Sequence, residues 1–113
     1  MNYNYLRYFS VLAQLEHYTL AAARLEISQP SLSSAIRNLE DELGVRLFEK
    51  VGRNIRLTEE GRYFQKKVDA AMEELSEAAQ RVTTAQEELN SEKEELELTR
   101  AELDEAQLAL NEK

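Results

Sequence analysis

The sequence predicts a mainly α-helical protein, in which a small head of helices and one β-hairpin precedes a long C-terminal helix that forms a coiled coil. Two observations predict this division. All three glycines and the single proline come before residue 62, so the remaining part of the chain has no strong helix breaker. Residues 1–67 contain ten lysines and arginines and eight acidic residues, whereas residues 68–113 contain four lysines and arginines and fourteen acidic residues. The head is therefore slightly basic and the tail strongly acidic.

The composition excludes several classes of function. The chain has 113 residues, no cysteine and one histidine, which argues against a disulfide framework, a Cys/His zinc site and a thiol nucleophile. No apolar run approaches the ~20 residues that span a bilayer, and the N-terminus lacks a basic region followed by a hydrophobic stretch. We therefore expect a soluble, cytoplasmic protein that is not an enzyme and has no catalytic residues, metal site or cofactor.

The first two helices are indicated by apolar spacing and by a candidate cap. Apolar side chains recur at helical spacing from Leu6 to Ala13, which predicts an amphipathic helix over residues 3–15. Thr19 is a plausible N-cap for a short, alanine-rich second helix that ends near Leu25.

The third helix carries the clearest boundary signals. Ser28 can cap it, and Pro30 falls in its first turn, where a missing N–H does no harm. Gly44 suits the left-handed position that ends a helix. The stripe expected to face the core is Leu32, Ile36, Leu39 and Leu43. A tight turn at residues 26–28 separates this helix from the second.

A hairpin and a fourth helix follow. Residues 45–50 and 54–58 alternate partly in polarity and flank the segment Val51–Arg53, the pattern of a small β-hairpin. Thr58 can cap the next helix, whose first turn holds Glu59 and Glu60, favourable against the helix dipole.

The predicted elements follow the order of a winged helix-turn-helix, which is helix, short helix, tight turn, helix, hairpin and helix. The chain also resembles the DNA-binding domain of LysR-type bacterial transcriptional regulators over roughly its first 65 to 80 residues. The blocks that carry this resemblance are Leu6–Phe9, Thr19–Leu25, Ser28–Ser33, Ile36–Gly44, Leu47–Lys50 and Leu57–Gly61. We accordingly divide the chain into a DNA-binding domain, residues 1–58, and a dimerisation helix, residues 59–113.

The outward face of the third helix has residues suited to a DNA groove about 12 Å wide. Its polar side chains can donate to phosphates or base edges, Pro30 can contact a thymine methyl group, and Arg37 can reach guanine or the backbone. The hairpin would supply a wing with Arg53 at its tip. The candidate DNA-binding residues are Gln29, Pro30, Ser31, Ser33, Ser34, Arg37, Lys50, Arg53 and Arg56. The resemblance implies contact at Gln29, Pro30, Ser33, Ser34 and Arg53. The alternatives without DNA contact are that the serines only cap the helix and that the arginines are only solvated surface residues.

The tail contains a seven-residue repeat at Leu75, Val82, Leu89, Leu96, Leu103 and Leu110. With these as heptad position d, the a positions are mostly polar or basic. A parallel dimer would place Glu92 against Glu97 of the other chain, so antiparallel pairing is favoured. In the resembled family the linker helix pairs antiparallel, which implies a seam at Val68, Ala71, Met72, Leu75, Ala78, Ala79 and Val82.

The resemblance also implies an effector-binding domain after the linker helix, but here the acidic repeat continues to Lys113. We expect no small-molecule effector in this chain, and a fragment, an engineered fusion and a natural short relative all stay open. The partners predicted are double-stranded DNA and a second copy of the chain, with a tetramer also open, and no membrane. The sequence therefore predicts a dimeric, sequence-specific DNA-binding regulator that recognises two half-sites. The alternative is an interaction module whose winged helix does not contact DNA.

Overall fold

The structure, a computed structural model, describes residues 1–111, so Glu112 and Lys113 at the end of the predicted long helix lie outside the described residues. The elements are α1 (Tyr3–Leu15), α2 (Tyr18–Leu25), α3 (Gln29–Leu43), β1 (Phe48–Val51), β2 (Asn54–Leu57) and α4 (Glu59–Asn111). This order confirms the mainly α-helical class, the winged helix-turn-helix and the long C-terminal helix.

The chain divides into two compact units, which we call the head unit, residues 1–73, and the tail unit, from Glu74 onward. Side chains from the beginning of α4 belong to the head unit, because Val68 is buried in its core and Phe64 and Met72 pack against that core. The compact head thus extends beyond residue 58. The functional division at that residue, between DNA binding and dimerisation, stays a prediction.

The core of the head unit forms around Phe9 of α1, which is completely buried. Its ring centroid lies 5.6 Å from that of Phe48 in β1 and 5.0 Å from that of Phe64 in α4. Tilted aromatic pairs at such distances are favourable. Helix α1 also packs against α2 and α3. One aromatic cluster therefore connects the three-helix part to both the wing and α4.

The boundaries of α3 agree with the sequence signals. The Ser28 hydroxyl accepts a hydrogen bond from the Ser31 amide at 3.2 Å, and Pro30 lies in the first turn. At the other end, Gly44 has φ 72° and its amide donates to the Glu40 carbonyl at 2.8 Å. A left-handed residue at this place is the usual end of a helix. The direction of α3 is therefore fixed locally at both ends.

The predicted cap of α2 is wrong. The helix begins at Tyr18, and His17 is its N-cap, with Nδ1 accepting from the Leu20 amide at 3.2 Å. The Thr19 hydroxyl instead donates to Oε1 of Gln29, at the beginning of α3, at 3.3 Å. The threonine therefore connects the two helices of the helix-turn-helix and does not cap the beginning of α2.

The hairpin is shorter and shifted relative to the prediction. Strands β1 and β2 pair antiparallel from Phe48 opposite Leu57 to Val51 opposite Asn54, which leaves Gly52 and Arg53 as the turn. Val51 is thus in a strand rather than in the turn, and Gly52 has φ 63°. Leu47 lies outside β1, where its carbonyl accepts from the Thr58 amide at 3.0 Å. Arg53 occupies the tip of the wing, as predicted.

The beginning of α4 approaches the backbone of the wing closely at Gly61. The Thr58 hydroxyl caps the helix by accepting from the Gly61 amide at 3.0 Å. A Cβ atom built on Gly61 would collide with the Leu47 carbonyl oxygen and would lie 3.0 Å from Leu57 Cδ2. Only glycine allows this approach, because the obstructing atom belongs to backbone.

We expect Gly61→Ala to destabilise the head unit by about 1–3 kcal/mol, the usual effect of adding a methyl group to a filled space. The Leu47 carbonyl would have to move, which disturbs its hydrogen bond with Thr58. Chemical denaturation monitored by circular dichroism measures the change. Lys66→Ala, at an exposed position of the same helix, is the control. Equal stability of the two variants would contradict the close approach.

Candidate nucleic-acid interface

Helix α3 separates its residues into a buried and an exposed face. Leu32, Ile36 and Leu39 are at most 1 % exposed and lie in the core. On the other face, the predicted DNA-binding residue Ser33 is half-buried. The remaining ones are exposed, namely Gln29, Pro30, Ser31, Ser34 and Arg37. The 3.6-residue period produces this separation. The structure therefore leaves the polar face of α3 open for a partner.

One group of predicted residues lies in a recess between α3 and the wing. Ser33 and Arg37 of α3 line it together with Lys50 of β1, and Arg46 contributes a further cation. These residues come from two elements that are separate in the sequence. The lining also includes the carboxylates of Glu40 and Asp41, so three cations stand against two acids. A hydroxyl donor and an excess of positive charge at one open surface are suited to phosphate and base contacts.

The other group lies in a second recess of the head unit. Gln29 lines it with Thr19 and with Arg53 from the tip of the hairpin. The hydrogen bond from Thr19 occupies Oε1 of Gln29, so the amide nitrogen, which is a donor only, is left for an outside acceptor. Tyr18 lines both recesses. The two groups thus adjoin one another on the surface of the head unit.

Tyr18 is half-buried, packs against the core of the head unit and lines both recesses. Burial raises the pKa of its phenol, and the carboxylate of Glu40 raises it further, while Arg37 and Arg46 act in the opposite direction. A raised pKa keeps the phenol neutral at physiological pH. Tyr18 therefore offers a hydrogen-bonding group here and no charge.

Glu40 connects α3 with the segment that precedes β1 of the wing. Its Oε2 atom accepts from the Leu47 amide at 2.7 Å and lies 3.7 Å from Nε of Arg46. A charge-assisted bond to backbone is among the stronger hydrogen bonds in proteins. The carboxylate therefore holds the segment before β1 against the helix that is predicted to enter DNA.

Arg56 is not brought to the recess that contains Lys50. It pairs across the hairpin with Glu49, and its Nε lies 2.7 Å from Oε1 of that residue. Lys50 pairs with Ile55, so the two cations point to opposite faces of the hairpin because side chains alternate along a strand. We leave Arg56 out of the candidate interface. The sequence alone did not indicate the face on which Arg56 lies, because the alternation of side chains along a strand assigns faces only when the strand register is known.

Arg46 and Thr19 are candidate residues that sequence reasoning did not select. Arg46 lies between α3 and β1, where no periodicity indicates a direction, and its side chain is 81 % exposed. Its position between Arg37 and Lys50 in the sequence was the only signal. Thr19 was assigned to a cap, and its spacing of ten residues from Gln29 corresponds to no local motif.

The predicted dimer seam is only partly available in the structure. Val68 is 5 % exposed and packs in the core of its own head unit, so this residue of the predicted seam is corrected to a core residue. Met72 is half-buried against the same core, and Ala71 is exposed. Exposed positions of the seam are Leu75, Ala78, Ala79, Val82, Leu89, Leu96, Leu103 and Leu110.

The fold and its exposed recognition helix define a winged helix-turn-helix protein. The family described as bacterial regulatory helix-turn-helix protein, lysR family, matches residues 3–62. The chain therefore belongs to the LysR family, as its resemblance indicated.

Individual relatives agree with this assignment. An uncharacterised HTH-type transcriptional regulator, YybE of Bacillus subtilis, is 43 % identical over 82 residues, which are 73 % of this chain and 28 % of YybE. CatR of Pseudomonas putida, also an HTH-type transcriptional regulator, is 50 % identical over 64 residues, 57 % of this chain and 22 % of CatR. The chain thus spans about a quarter of the length of these relatives.

Solved structures of DNA-binding domains have the same fold. The crystal structure of the CbnR DNA-binding domain in complex with DNA is 33 % identical, with a TM-score of 0.71, covering 75 % of this chain and 98 % of that one. The complex of the BenM DNA-binding domain with catB site 1 DNA is 34 % identical, with a TM-score of 0.71, covering 74 % and 92 %. In the described residues 1–111, no helix is long and apolar enough to cross a membrane.

Proposed function

We propose that this chain is a sequence-specific, double-stranded DNA-binding transcriptional regulator that acts in the bacterial cytoplasm. Helix α3 enters the major groove, and the hairpin acts as a wing against the backbone. The observation that carries the proposal is the recess in which Ser33 and Arg37 of α3 meet Lys50 of the wing. The complexes of the CbnR and BenM domains with DNA support it, because they share the fold over almost their whole length.

Each group of residues has a separate role in this proposal. Arg37 and Ser33 contact base edges, since guanidinium and hydroxyl groups can donate to acceptors in the major groove. Lys50, Arg46 and Arg53 contact phosphates and position the head unit. Gln29 presents its amide nitrogen as a donor, because Thr19 occupies its oxygen. Ser31 and Ser34 remain candidates for phosphate contact at the exposed face.

We further propose that the chain acts as a homodimer that recognises two half-sites. The support is the row of exposed leucines of the tail unit, which are unfavourable in water. A dimer would bring two head units to one duplex, and the second contact would then be effectively intramolecular. Weak binding by one head unit would thereby become useful affinity.

The proposal can be tested by the salt dependence of binding to a labelled duplex of mixed sequence. About three phosphate contacts per head unit make about six in a dimer, which predicts a slope of about −5 for the logarithm of affinity against the logarithm of salt concentration. Lys50→Ala removes one contact from each head unit and should reduce the magnitude of this slope by about 2. Fluorescence anisotropy between 50 and 200 mM salt, a range in which such contacts weaken strongly, measures it.

Arg81→Ala is the matched control, because it removes an exposed cation from the tail unit and should leave the slope unchanged. A folded protein that shows no duplex binding at low salt would contradict the proposal. That result would favour the interaction module, in which the winged helix serves only as a packing unit.

A further inference from the structure

The tail unit has a row of exposed apolar residues, mostly leucines, that nothing in the described residues 1–111 covers. Every residue of the seven-residue repeat is more than half exposed: Leu75 54 %, Val82 69 %, Leu89 59 %, Leu96 70 %, Leu103 65 % and Leu110 74 %. Leu98 and Leu108 are equally exposed, at 66 % and 61 %, but fall outside the repeat. The matches to relatives and to solved DNA-binding domains cover about three-quarters of this chain, so they do not account for the last residues of this row. A strict heptad row is the surface of a coiled coil.

The residues between the leucines oppose parallel pairing with a second copy. Heptad position a is occupied by Ala79, Gln86, Lys93, Arg100 and Gln107. In a parallel, in-register dimer each a residue meets the same residue of the other chain, so Lys93 would face a second lysine and Arg100 a second arginine. Glu92 at position g would also face Glu97 at position e. All three contacts bring like charges together, the lysine and arginine pairs inside the seam and the glutamate pair at its edge.

Antiparallel pairing removes these contacts, because each a residue then faces a d residue. Every layer contains one leucine or valine, and the alkyl parts of Lys93 and Arg100 can cover it while their charged ends reach water. The part of the row from Val82 to Leu110 can thus be covered by a second copy of itself.

We propose that two copies of the chain pair antiparallel through residues 79–110, with Lys93 opposite Leu96 of the partner subunit. The other layers follow from this register and from the heptad spacing. They join Ala79 to Leu110 of the partner subunit, Gln86 to Leu103 of the partner subunit, Arg100 to Leu89 of the partner subunit, and Gln107 to Val82 of the partner subunit.

Charges at the edges of the seam select this register. Antiparallel coiled coils place e against e and g against g. Here these pairs are Thr83 with Asp104, Asn90 with Glu97, Ala85 with Ala106 and Glu92 with Thr99, and none joins like charges. Lys93 also lies beside Glu97 of the partner subunit, an opposite charge.

The two neighbouring antiparallel registers are less favourable. A shift of one heptad that places Lys93 opposite Leu89 brings Glu92 against its own copy. The opposite shift, with Lys93 opposite Leu103, brings Glu97 against its own copy. It also leaves Val82 without a facing residue among residues 79–111. The chosen register is therefore the one of these three that has no like-charge edge pair.

This pairing deepens the proposed self-association, on which it rests, and it is independent of any DNA contact. The test uses disulfide cross-linking, for which the absence of cysteine from the chain provides a clean background. Gln86→Cys and Leu103→Cys are prepared as two full-length variants. They are oxidised separately, and also after being unfolded together and refolded as a mixture.

The proposed register predicts that the mixture forms the mixed disulfide dimer and that neither variant cross-links to itself. Cross-linking of Leu103→Cys alone would indicate parallel pairing and overturn the proposal. Cross-linking of Gln86→Cys with Leu96→Cys, or with Leu110→Cys, would indicate a register shifted by one heptad and would also overturn it. Leu98→Cys with Leu108→Cys, both outside the repeat, is the background control and should not cross-link.

A second pair of variants guards against loss of pairing when Leu103 is replaced. Val82→Cys with Gln107→Cys tests another layer of the same register and retains Leu103. Failure of both pairs to cross-link overturns the proposal. Sedimentation equilibrium of the unmodified chain distinguishes the two failures. A monomer at tens of micromolar would contradict the proposed self-association itself, whereas a dimer with the wrong cross-links would contradict only the register.

Discussion

Replacing Ser33 and Arg37 together by alanine is expected to lower the affinity for a target duplex about 100-fold and to leave the fold intact. One good contact to a base edge contributes about 1–3 kcal/mol of discrimination, or roughly 5- to 150-fold in affinity. Arg37 is exposed and Ser33 half-buried, so neither substitution removes a core side chain. The affinity is measured by fluorescence-anisotropy titration of a duplex selected from a random pool by the unmodified protein. Thermal unfolding verifies that the variant is folded.

The control for this prediction replaces residues of the same types in the tail unit. Ser91→Ala with Arg81→Ala removes one hydroxyl and one guanidinium at exposed positions, and the affinity for the duplex should stay within about twofold, since surface substitutions of this kind have small effects. Equal binding by the Ser33 and Arg37 double variant would exclude α3 as the recognition helix.

The second large effect is expected at the heptad row of the tail unit. Leu103→Glu with Leu110→Glu should convert a dimer into a monomer, because each substitution places a carboxylate, opposite an uncharged residue of the proposed register, in a layer that excludes water. Binding to a duplex with two half-sites should then fall about 10²- to 10⁴-fold, the range over which linked sites gain affinity. Binding to a single half-site should change little.

Sedimentation and anisotropy measure the two effects separately. The matched control is Leu98→Glu with Leu108→Glu, which changes two leucines of similar exposure outside the repeat. That variant should remain a dimer with unchanged affinity. If both double variants behave alike, the heptad row is not the dimer interface.

Much of the fold could be predicted because its signals are local. Ser28, Pro30 and Gly44 mark the ends of α3 through backbone hydrogen bonds and φ angles that few other residues satisfy. Thr58 marks the beginning of α4 in the same way. The apolar stripe of α3 also predicted which of its faces is buried. Each of these features depends on residues no more than four positions apart or on the helical period.

The errors arose where tertiary contacts decide between local alternatives. Thr19 is a good cap by residue type, yet its hydroxyl is taken by Gln29 and His17 caps the helix. Val68 has the spacing of a seam residue, but periodicity shows only that a helix face is apolar and not what covers it. The direction of the Arg56 side chain also depends on a strand register that the sequence did not specify, and its contact with DNA stays a prediction.

Recognition of a DNA sequence by the exposed face of α3 is the proposal on which the functional conclusions depend. Selection of bound duplexes from a random pool is the decisive experiment, because no target sequence has to be assumed. We expect enrichment of one motif with two related half-sites, and loss of that enrichment with Ser33→Ala and Arg37→Ala. A selected pool that is no different from the starting pool, obtained with folded protein, would refute recognition by α3.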